Sequence, residues 1–333
     1  MRYNYSQICS NLLKVLQKRQ REVISRRFGL VASASDRKKA GRETLESIGK
    51  SFGISRERVR QIERDAFLNL KPELKEYQKV FQYFKGYLNG AGGVKKEDLL
   101  LENLAGRNSQ NQVFFLLNLG EGFQRFAENS DLHSFWAVKP DSLAESQKII
   151  SLISDKLDKI GKPLKIKDLA RKIGLNQKVL TSYLEISKKI ERNSEDFWGR
   201  RDWPEINPRG IKDKAFLVFK KTQKPLHFTE VADLIQAALS QTVHNELIKD
   251  PRFVLVGRGL YALREWGYEE GVVKDVISKV LQGAKKPLSK EEILEKVLKQ
   301  RLVKANTVLL NLSNRKYFSK KPGGYYAINT KEA

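Results

Sequence analysis

Five polar side chains that can bond to the edges of DNA bases are clustered in one charged stretch, Arg56, Glu57, Arg60, Gln61 and Arg64. Arginine can bond guanine through two atoms, glutamine can do the same with adenine, and glutamate can accept a hydrogen bond from cytosine. If the stretch is helical, the spacing places all five on one side. A charged helix can also be a plain solvated surface, so the elements around it must decide between these interpretations.

Apolar residues on the other side of this stretch predict a buried helix face. Positions 59, 62, 66 and 70 are Val, Ile, Ala and Leu, at the spacing of one helical stripe. We predict a helix from Arg56 to about Leu70, because Ser55 is a good N-cap and Pro72 lies just beyond the end.

The residues before Ser55 predict a shorter helix and a tight turn. Ile48, Phe52 and Ile54 continue the apolar set, Gly49 allows two helices to cross closely, and Gly53 can adopt a positive φ at little cost. Together these features predict a helix-turn-helix, whose second helix enters the major groove of DNA. DNA recognition is therefore favoured over a plain solvated surface.

The overall charge points to a polyanionic partner. The 333 residues include 63 Lys and Arg against 39 Asp and Glu, a net charge of +24, which favours nucleic acid first and an anionic membrane second. The most apolar run, 113–119, is far shorter than the roughly 20 residues of a membrane span, so we expect no membrane partner. The single cysteine excludes an internal disulfide and fits a reducing cytoplasm. The scattered histidines predict no metal site.

Two adjacent segments carry a family resemblance. The sequences LLKVLQKRQREVISRRFGL and ETLESIGKSFGISRERVRQIERDAFLNLK, within Leu12 to Lys71, closely resemble region 4 of sigma-70 family transcription initiation factors. In that family the recognition helix reads the promoter −35 element, and the first helices contact the β flap of RNA polymerase. The resemblance implies that Arg56, Glu57 and Gln61 read bases.

The resemblance also implies supporting roles. Further DNA or phosphate contacts are expected at Ser55, Arg58, Arg60 and Arg64. Weaker phosphate roles are expected near Arg27 and Leu45. Apolar residues of the first helices could line the flap-binding surface or could equally be core residues; these are Leu13, Leu16, Val23 and Ile24.

The sequence departs from the family pattern in three respects. The loop from Val31 to Arg42 is longer than the family usually carries, and Asp65 replaces a usual basic residue, which leaves the base preference open. Only about a dozen residues precede the resemblance, whereas the family's region 2 and its promoter-melting parts would come first. We therefore expect a chain that is not an ordinary complete sigma factor.

The rest of the chain contains a repeat with a period of 62 residues. Pro163, Pro225 and Pro287 each follow an amphipathic helix and precede two further helices and an aromatic segment. The last two aromatic segments predict hairpins around 257–259 and 323–324. A looser upstream copy ends at residues 135 and 136, so four units follow the first domain.

Three helices closed by a two-stranded wing indicate a winged helix. The predicted fold is mainly α with small β wings, an N-terminal helix-turn-helix domain followed by a tandem array of winged-helix units. The predicted domains are 1–75, 76–140, 145–206, 207–268 and 270–331, with linkers at 140–147 and 205–212. Basic pairs such as Lys220-Lys221 and Lys320-Lys321 recur along the array and predict salt-sensitive attraction to phosphate.

The unit at 207–268 has a resemblance of its own. Its ending, DPRFVLVGRGLYALREWGY, resembles the HARE-type winged helix-turn-helix of the RNA polymerase δ subunit. We expect the core of this unit to be closed by Pro251, Phe253, Tyr261, Leu263 and Trp266. Possible phosphate contacts in its wing, which could also be simply exposed, are Arg252, Arg258 and Arg264.

These patterns predict a sequence-specific, sigma-like transcription factor that is cytoplasmic and nucleoid-associated in a bacterium. Its partners would be double-stranded DNA, at a −35-type element, and RNA polymerase through the β flap, with no cofactor and no small-molecule substrate. The alternative is a polymerase- or chromatin-associated winged-helix scaffold with non-specific DNA binding. An enzyme is not expected, because the sequence has no nuclease-like acidic pair with lysine, no P-loop and no nucleophile motif.

Overall fold

The chain folds into mostly helical structure with small antiparallel sheets. The computed structural model describes residues 3–30, 41–106, 108–236, 239–268, 271–284, 286–301 and 303–329. The chain divides into two compact units, Met1–Asp202 and Trp203–Ala333. Within the described ranges, no helix is both long and apolar enough to cross a membrane. The predicted long loop, Val31 to Arg42, lies outside the described residues over 31–40.

The first unit begins with a helical segment that contains the predicted helix-turn-helix. Its helices are α1 (Tyr5–Val15), α2 (Lys18–Phe28), α3 (Leu45–Phe52) and α4 (Arg56–Leu70). The bounds of α4 agree with the prediction from the sequence. A short 3-10 helix with Pro72 in its first turn follows α4.

Two repeats of one element order complete the first unit. Each repeat has a helix, a short strand, two helices and two strands. The first repeat contains α5 (Gln78–Gly90), β1 (Val94–Lys96), α6 (Glu97–Ala105), α7 (Gln110–Leu119), β2 (Gln124–Phe126) and β3 (Phe135–Ala137). The second contains α8 (Ser142–Ile160), β4 (Leu164–Lys165), α9 (Ile166–Ile173), α10 (Gln177–Ile186), β5 (Ile190–Arg192) and β6 (Phe197–Arg200). In both, the last strand lies between the other two, in the orders β1-β3-β2 and β4-β6-β5.

The second unit repeats the same order twice. Its first repeat contains α11 (Gly210–Thr222), β7 (Leu226–His227), α12 (Phe228–Leu234), α13 (Ser240–Lys249), β8 (Phe253–Gly257) and β9 (Leu260–Leu263), with strand order β7-β9-β8. Its second contains α14 (Val273–Ala284), α15 (Lys290–Gln300), α16 (Ala305–Leu312), β10 (Phe318–Lys320) and β11 (Tyr326–Ile328). Here a single bridge from Leu288 to Tyr326 stands where the other repeats have their first strand.

One hydrophobic core joins the helix-turn-helix segment to the repeat after it. Phe28 at the end of α2 packs against Phe115 of α7, with ring centroids 5.2 Å apart, and Phe67 of α4 packs against the same ring at 6.1 Å. The core also includes buried residues of α1, α5 and α6. The apolar face of α4 is therefore shared between two neighbouring parts of the chain.

Three expectations about linkers and core residues are wrong in whole or in part. The segment 140–147 is not a linker, because α8 begins at Ser142, and the linker expected at 205–212 ends earlier, because α11 begins at Gly210. Pro251 does not close a core, because it is exposed in the turn before β8. The other expected core residues of that unit behave as predicted: Phe253, Tyr261 and Leu263 are buried and Trp266 packs against them. The predicted hairpins at 257–259 and 323–324 are confirmed as β8–β9 and β10–β11.

Candidate nucleic-acid interface

The turn between α3 and α4 depends on two glycines. Gly53 has φ 63° and ends α3 by donating its backbone N–H to the carbonyl of Lys50. A Cβ placed on Gly49 would lie 2.7 Å from the carbonyl oxygen of Ile54, closer than side chains approach backbone atoms. The Ile54 N–H in turn donates to the Gly49 carbonyl at 3.0 Å. These contacts fix the angle at which α4 leaves the turn.

Ser55 and Thr44 begin the two helices of this motif. The Ser55 hydroxyl accepts a hydrogen bond from the Arg58 backbone N–H at 3.2 Å, and the Thr44 hydroxyl accepts one from the Ser47 N–H at 3.1 Å. Such caps satisfy amide groups that the helix itself leaves without partners. The Ser55 side chain thus has a structural role that is independent of any DNA contact.

The buried side of α4 rests on a small apolar cluster. Val59 and Ile62 pack with Ile48 of α3 and Val23 of α2, all of which are less than a tenth exposed. Phe52 and Ile54 are packed at the edge of the cluster. This arrangement confirms the predicted buried set and turns the opposite side of α4 to solvent.

The solvent side of α4 carries the residues with hydrogen-bonding potential for DNA. The exposed residues on it are Arg56, Glu57, Arg58, Arg60 and Arg64; Gln61 is half-buried. The side chains already pair with one another. Arg60 donates to both carboxylate oxygens of Glu57, at 2.6 and 2.8 Å, and Arg58 donates to the Gln61 side-chain oxygen at 3.0 Å.

Two carboxylates near this surface have opposite pKa shifts. The hydrogen bond from Arg60 lowers the pKa of Glu57, and the positive charges of Arg60 and its neighbours act in the same direction. Burial raises the pKa of Glu63, although the Arg27 Nε lies 3.4 Å from its carboxylate and opposes the shift. Glu57 is therefore held as an anion in the middle of a cationic surface, which suits an acceptor group.

The expected phosphate roles of Arg27 and Leu45 have different structural settings. Arg27 Nη1 donates to the Glu43 carbonyl at 2.9 Å, so this guanidinium ties α2 to the segment that precedes α3. Leu45 packs against the apolar cluster beneath α4. Its side chain is a packing group and offers no donor to a phosphate.

Three of the four residues considered for a polymerase-binding surface are core residues. Leu16, Val23 and Ile24 are at most 2% exposed. Leu13 is half-buried and remains accessible on α1. The apolar pattern of these helices thus reflects packing inside the fold.

The three arginines expected near the wing of the 207–268 unit lie in different surroundings. Arg252 pairs with Asp213 at 2.8 Å and with Asp250 at 2.6 Å, so its charge is already compensated. Arg264 Nε donates to the Pro251 carbonyl at 2.8 Å. Arg258 is exposed in the turn that joins β8 to β9.

The sequence pattern gave no signal for one contact that supports this interface. The Arg42 guanidinium lies 3.6 Å from the centre of the Phe114 ring and donates to the Asn111 side chain at 3.0 Å. It thereby fastens the segment before α3 to α7. In the described residues no group of three His, Cys, Asp or Glu side chains could hold a metal ion.

A comparison with known protein families identifies the first part of the chain. Residues 12–71 match the model described as "Sigma-70, region 4". Residues 12–71 are a sigma-70 region 4 domain. The helices α3 and α4 both lie within this match.

Curated relatives agree with this assignment over the same part of the chain. Region 4 lies within a stretch of 71 residues that is 42% identical to the RNA polymerase sigma factor RpoD of Helicobacter pylori strain 26695, and equally so to that of strain J99. The stretch is 21% of this chain and 10% of each relative. This chain thus spans about a tenth of the length of these curated relatives.

Proposed function

We propose that this chain is a sequence-specific DNA-binding transcription factor, in which region 4 recognises a −35-type promoter element and contacts RNA polymerase to regulate initiation. The observation that carries the proposal is the exposed face of α4, where Arg56, Glu57 and Gln61 lie on a helix held by an N-cap, two glycines and a buried apolar cluster. A helix entering the major groove presents such side chains to base edges.

The assignment of roles along α4 follows from the resemblance to region 4. Arg56, Glu57 and Gln61 would read bases, while Arg58, Arg60 and Arg64 would contact bases or phosphates alongside them. The contact with RNA polymerase is supported by the region 4 match and not by Leu16, Val23 or Ile24, which are buried.

The four repeats after region 4 are proposed to be winged-helix units. Their order of one helix, two further helices and a closing hairpin supports this reading, as does the strand order in the three-stranded sheets. The resemblance of 207–268 to a HARE-type unit remains a prediction. The proposed boundaries of the repeats remain those of the sequence pattern, except that the repeat predicted at 76–140 is followed directly by α8.

One observation favours the alternative of a winged-helix scaffold for part of the chain. In the first unit, α7 and α10 occupy the position of a winged-helix recognition helix, yet both are packed against other elements of this chain. These two repeats would then act as structural supports, and DNA recognition would depend on region 4.

The decisive experiment is selection of bound sequences from random duplex DNA by the full chain, with and without RNA polymerase core enzyme. Recovery of −35-like sites supports the proposal. The variant Arg56→Ala with Gln61→Ala is expected to lose sequence selectivity by roughly 10- to 100-fold per base contact, because each paired contact is worth about 1–3 kcal/mol. If the chain without substitutions selected no sequence at all, the proposal would be contradicted.

A matched control removes charge elsewhere in the same unit. Arg171 on α9 is exposed, with 73% of its side chain accessible, and its only described ion pair is a long contact with Asp168 at 3.9 Å. Arg171→Ala is expected to leave the selected sequence unchanged. If it altered selectivity as strongly as the Arg56 and Gln61 pair, the assignment of base reading to α4 would be wrong.

A further inference from the structure

Each of the four repeats has a helix immediately before its closing hairpin, and the surroundings of this helix differ from repeat to repeat. The helix immediately before the closing hairpin is α7, α10, α13 or α16. In winged helices this is the element that can enter a DNA groove, while the hairpin reaches the backbone. A helix can do so only if its outer face is exposed and its surroundings are not acidic.

The helices in the first unit are not free to enter a groove. α7 is buried on most sides, with Phe115, Leu116 and Leu117 in the core shared with region 4. α10 is packed on the loop and strand of the preceding repeat. The Tyr183 hydroxyl lies 3.5 Å from the Gly92 carbonyl, and the Glu185 carboxylate pairs with Lys95 at 2.6 Å.

In the second unit α13 is exposed, but its surroundings are nearly neutral. Its outer face carries Gln241, Asn245 and Ile248, and Ile248 is 62% exposed. From this helix to the end of its hairpin, residues 240–263 hold three basic and two acidic residues. This face lacks the excess of positive charge that phosphate binding needs.

The corresponding segment around α16 is basic throughout. Residues 303–329 hold five basic residues and no acidic residue. By comparison, residues 110–138 around α7 hold one basic and three acidic residues, and residues 177–200 around α10 hold five basic and four acidic residues. The α16 face exposes Lys304, Asn306, Thr307 and Leu310. Donors and one apolar side chain on a single exposed face are the groups that contact phosphates, base edges and thymine methyls.

The hairpin beyond α16 presents further cations. β10 and β11 pair with Lys320 opposite Tyr326, and Gly323 and Gly324, with φ 83° and 86°, allow the tight turn between the strands. The Lys321 N–H donates to the Tyr325 carbonyl at 2.7 Å and closes that turn. Lys320, Lys321 and Tyr325 are exposed on the hairpin.

An open groove lies between the end of α16 and this hairpin. Its volume is about 480 Å³, and its lining includes Ser313, Arg315, Lys320 and Asn329. The Ser313 hydroxyl and the Asn329 amide donate to the carbonyls of Leu309 and Arg315, so the cationic donors of this concave surface are the Arg315 guanidinium and the Lys320 ammonium. Such a set of donors suits the oxygens of a phosphodiester backbone.

We propose that residues 303–329 form a second duplex-DNA-binding surface, with α16 facing a groove and the β10–β11 hairpin on the backbone. The proposal rests on the proposed function in reading this repeat as a winged helix. It adds that this repeat, and not the three before it, supplies sequence-independent affinity. Region 4 then selects the site, and the basic surface around α16 strengthens binding to any duplex.

The test measures binding of the full chain to a random-sequence duplex by fluorescence anisotropy over a range of salt concentrations. The double variant Lys320→Gln with Lys321→Gln is expected to bind about tenfold more weakly at ~0.1 M salt. The slope of log affinity against log salt is expected to fall by about two, because each lost phosphate contact removes about 0.9. Selectivity for the site chosen by region 4 should not change.

The matched control is Lys296→Gln with Lys299→Gln on α15, which removes the same charge from a helix where Glu295 pairs with Lys299 at 2.6 Å. This control is expected to leave the salt slope within about half a unit of the unchanged chain. Equal slopes for both double variants would overturn the proposal. The proposal would also be overturned if the Lys320 and Lys321 variant still bound duplex DNA normally but no longer bound single-stranded RNA or anionic lipid vesicles.

A second variant tests the helix itself. Leu310 is 76% exposed, so Leu310→Glu leaves the core of this repeat untouched, and it places a negative charge on the proposed DNA-facing side. Its affinity for random duplex is expected to fall about tenfold, whereas Leu298→Glu on α15 should have little effect. If Leu310→Glu bound as well as Leu298→Glu, α16 would not face DNA.

These outcomes can be separated from a failure of the role of region 4. Arg56→Ala with Gln61→Ala should abolish the selected sequence and leave most of the random-duplex affinity, whereas the Lys320 and Lys321 variant should do the reverse. If the Lys320 and Lys321 variant kept its affinity for random duplex, the proposed surface around α16 would be rejected, and the proposed role of region 4 would not be affected.

Discussion

Glu57 shows how side chains on the exposed side of α4 are ordered by contacts within the protein. Both of its carboxylate oxygens accept hydrogen bonds from Arg60, and its lowered pKa keeps it ionised at neutral pH. An exposed pair of this kind adds little to stability. Its value is that it restricts the directions of two long side chains, one of which is proposed to accept a hydrogen bond from a base.

The replacement Glu57→Ala is therefore expected to have opposite effects on selectivity and on affinity. Discrimination at one base pair of the selected site should fall by about 1–3 kcal/mol, because the acceptor for that base is lost. Affinity for random duplex should rise, because a negative charge facing phosphates is removed. Competition binding with a series of single-base variants of the site measures both effects.

Glu46→Ala on α3 is the control for charge alone. Glu46 is 61% exposed and pairs weakly with Lys50 at 3.8 Å. Its removal should raise non-specific affinity without changing discrimination at any base pair. Unaltered discrimination in the Glu57 variant would show that Glu57 does not read a base.

At the scale of single elements, α3 has no room for a side chain at Gly49, where the helix lies against the turn to α4. A methyl group on Gly49 would approach the Ile54 carbonyl oxygen at 2.7 Å, and backbone cannot yield as a flexible side chain can. Gly49→Ala is expected to lower the free energy of unfolding by about 1–3 kcal/mol. Urea unfolding of the full chain measures the change.

Gly86 on α5 provides the opposite case. No atom lies within 4 Å of a Cβ built at this position, which is exposed in the middle of a helix. Gly86→Ala is expected to raise the free energy of unfolding by about 0.5–1 kcal/mol, because alanine loses less conformational entropy in a helix. Changes of the same sign in both glycine variants would refute the steric account of Gly49.

A salt bridge connects α2 to the start of α3 and should make stability depend on pH. Arg26 donates to both carboxylate oxygens of Glu43, at 2.8 and 2.7 Å, and the Ser47 hydroxyl donates to one of them at 3.0 Å. The hydrogen bond from Arg26 lowers the pKa of Glu43 below its usual 4.5. This contribution to stability is present above the pKa of the unfolded chain and is lost as the pH falls through the lowered pKa of the folded state.

Glu43→Gln is therefore expected to destabilise the chain by about 1 kcal/mol at pH 7, since the pair is about one-third exposed. The difference from the unchanged chain should disappear as the pH falls from about 4.5 through the lowered pKa. Thermal unfolding at several pH values measures it. Glu46→Gln, whose pair with Lys50 is more exposed, should show a smaller difference, and a Glu43 effect independent of pH would contradict the assignment.

The features that could be predicted from the sequence are those that depend on nearby residues. The bounds of α4, the cap at Ser55 and the turn at Gly53 each need only a few adjacent positions. The aromatic segments that end the last two 62-residue repeats likewise predicted the hairpins at 257–259 and 323–324. The burial of α7 and α10 could not be predicted in this way, because an amphipathic pattern does not identify which distant element covers a face. The contacts of Arg42 with Phe114 and Asn111 could not be predicted either, because the partners are about 70 residues apart in the sequence.

At the scale of the whole molecule, region 4 has one small apolar cluster of its own and shares a second, larger core with the repeat that follows it. Phe28 on α2 and Phe67 on α4 both rest on Phe115 of the next repeat. A boundary after residue 75 separates two sequence patterns, but the structure packs them as one body. Recognition of DNA by α4 should then depend on residues that lie outside the match to region 4.

Phe115→Ala tests this dependence. Removing a fully buried phenylalanine should cost about 3–5 kcal/mol, and the loss should reach α2 and α4 because their rings contact Phe115. Hydrogen exchange in α2 and α4 should speed up, and affinity for the selected site should fall on warming before it does in the unchanged chain. Phe219→Ala removes an equally buried phenylalanine from the second unit and should leave exchange in α4 unaltered. If α4 were as well protected in the Phe115 variant as in the Phe219 variant, region 4 would be stable without the repeat beside it, and the shared core would have no part in DNA recognition.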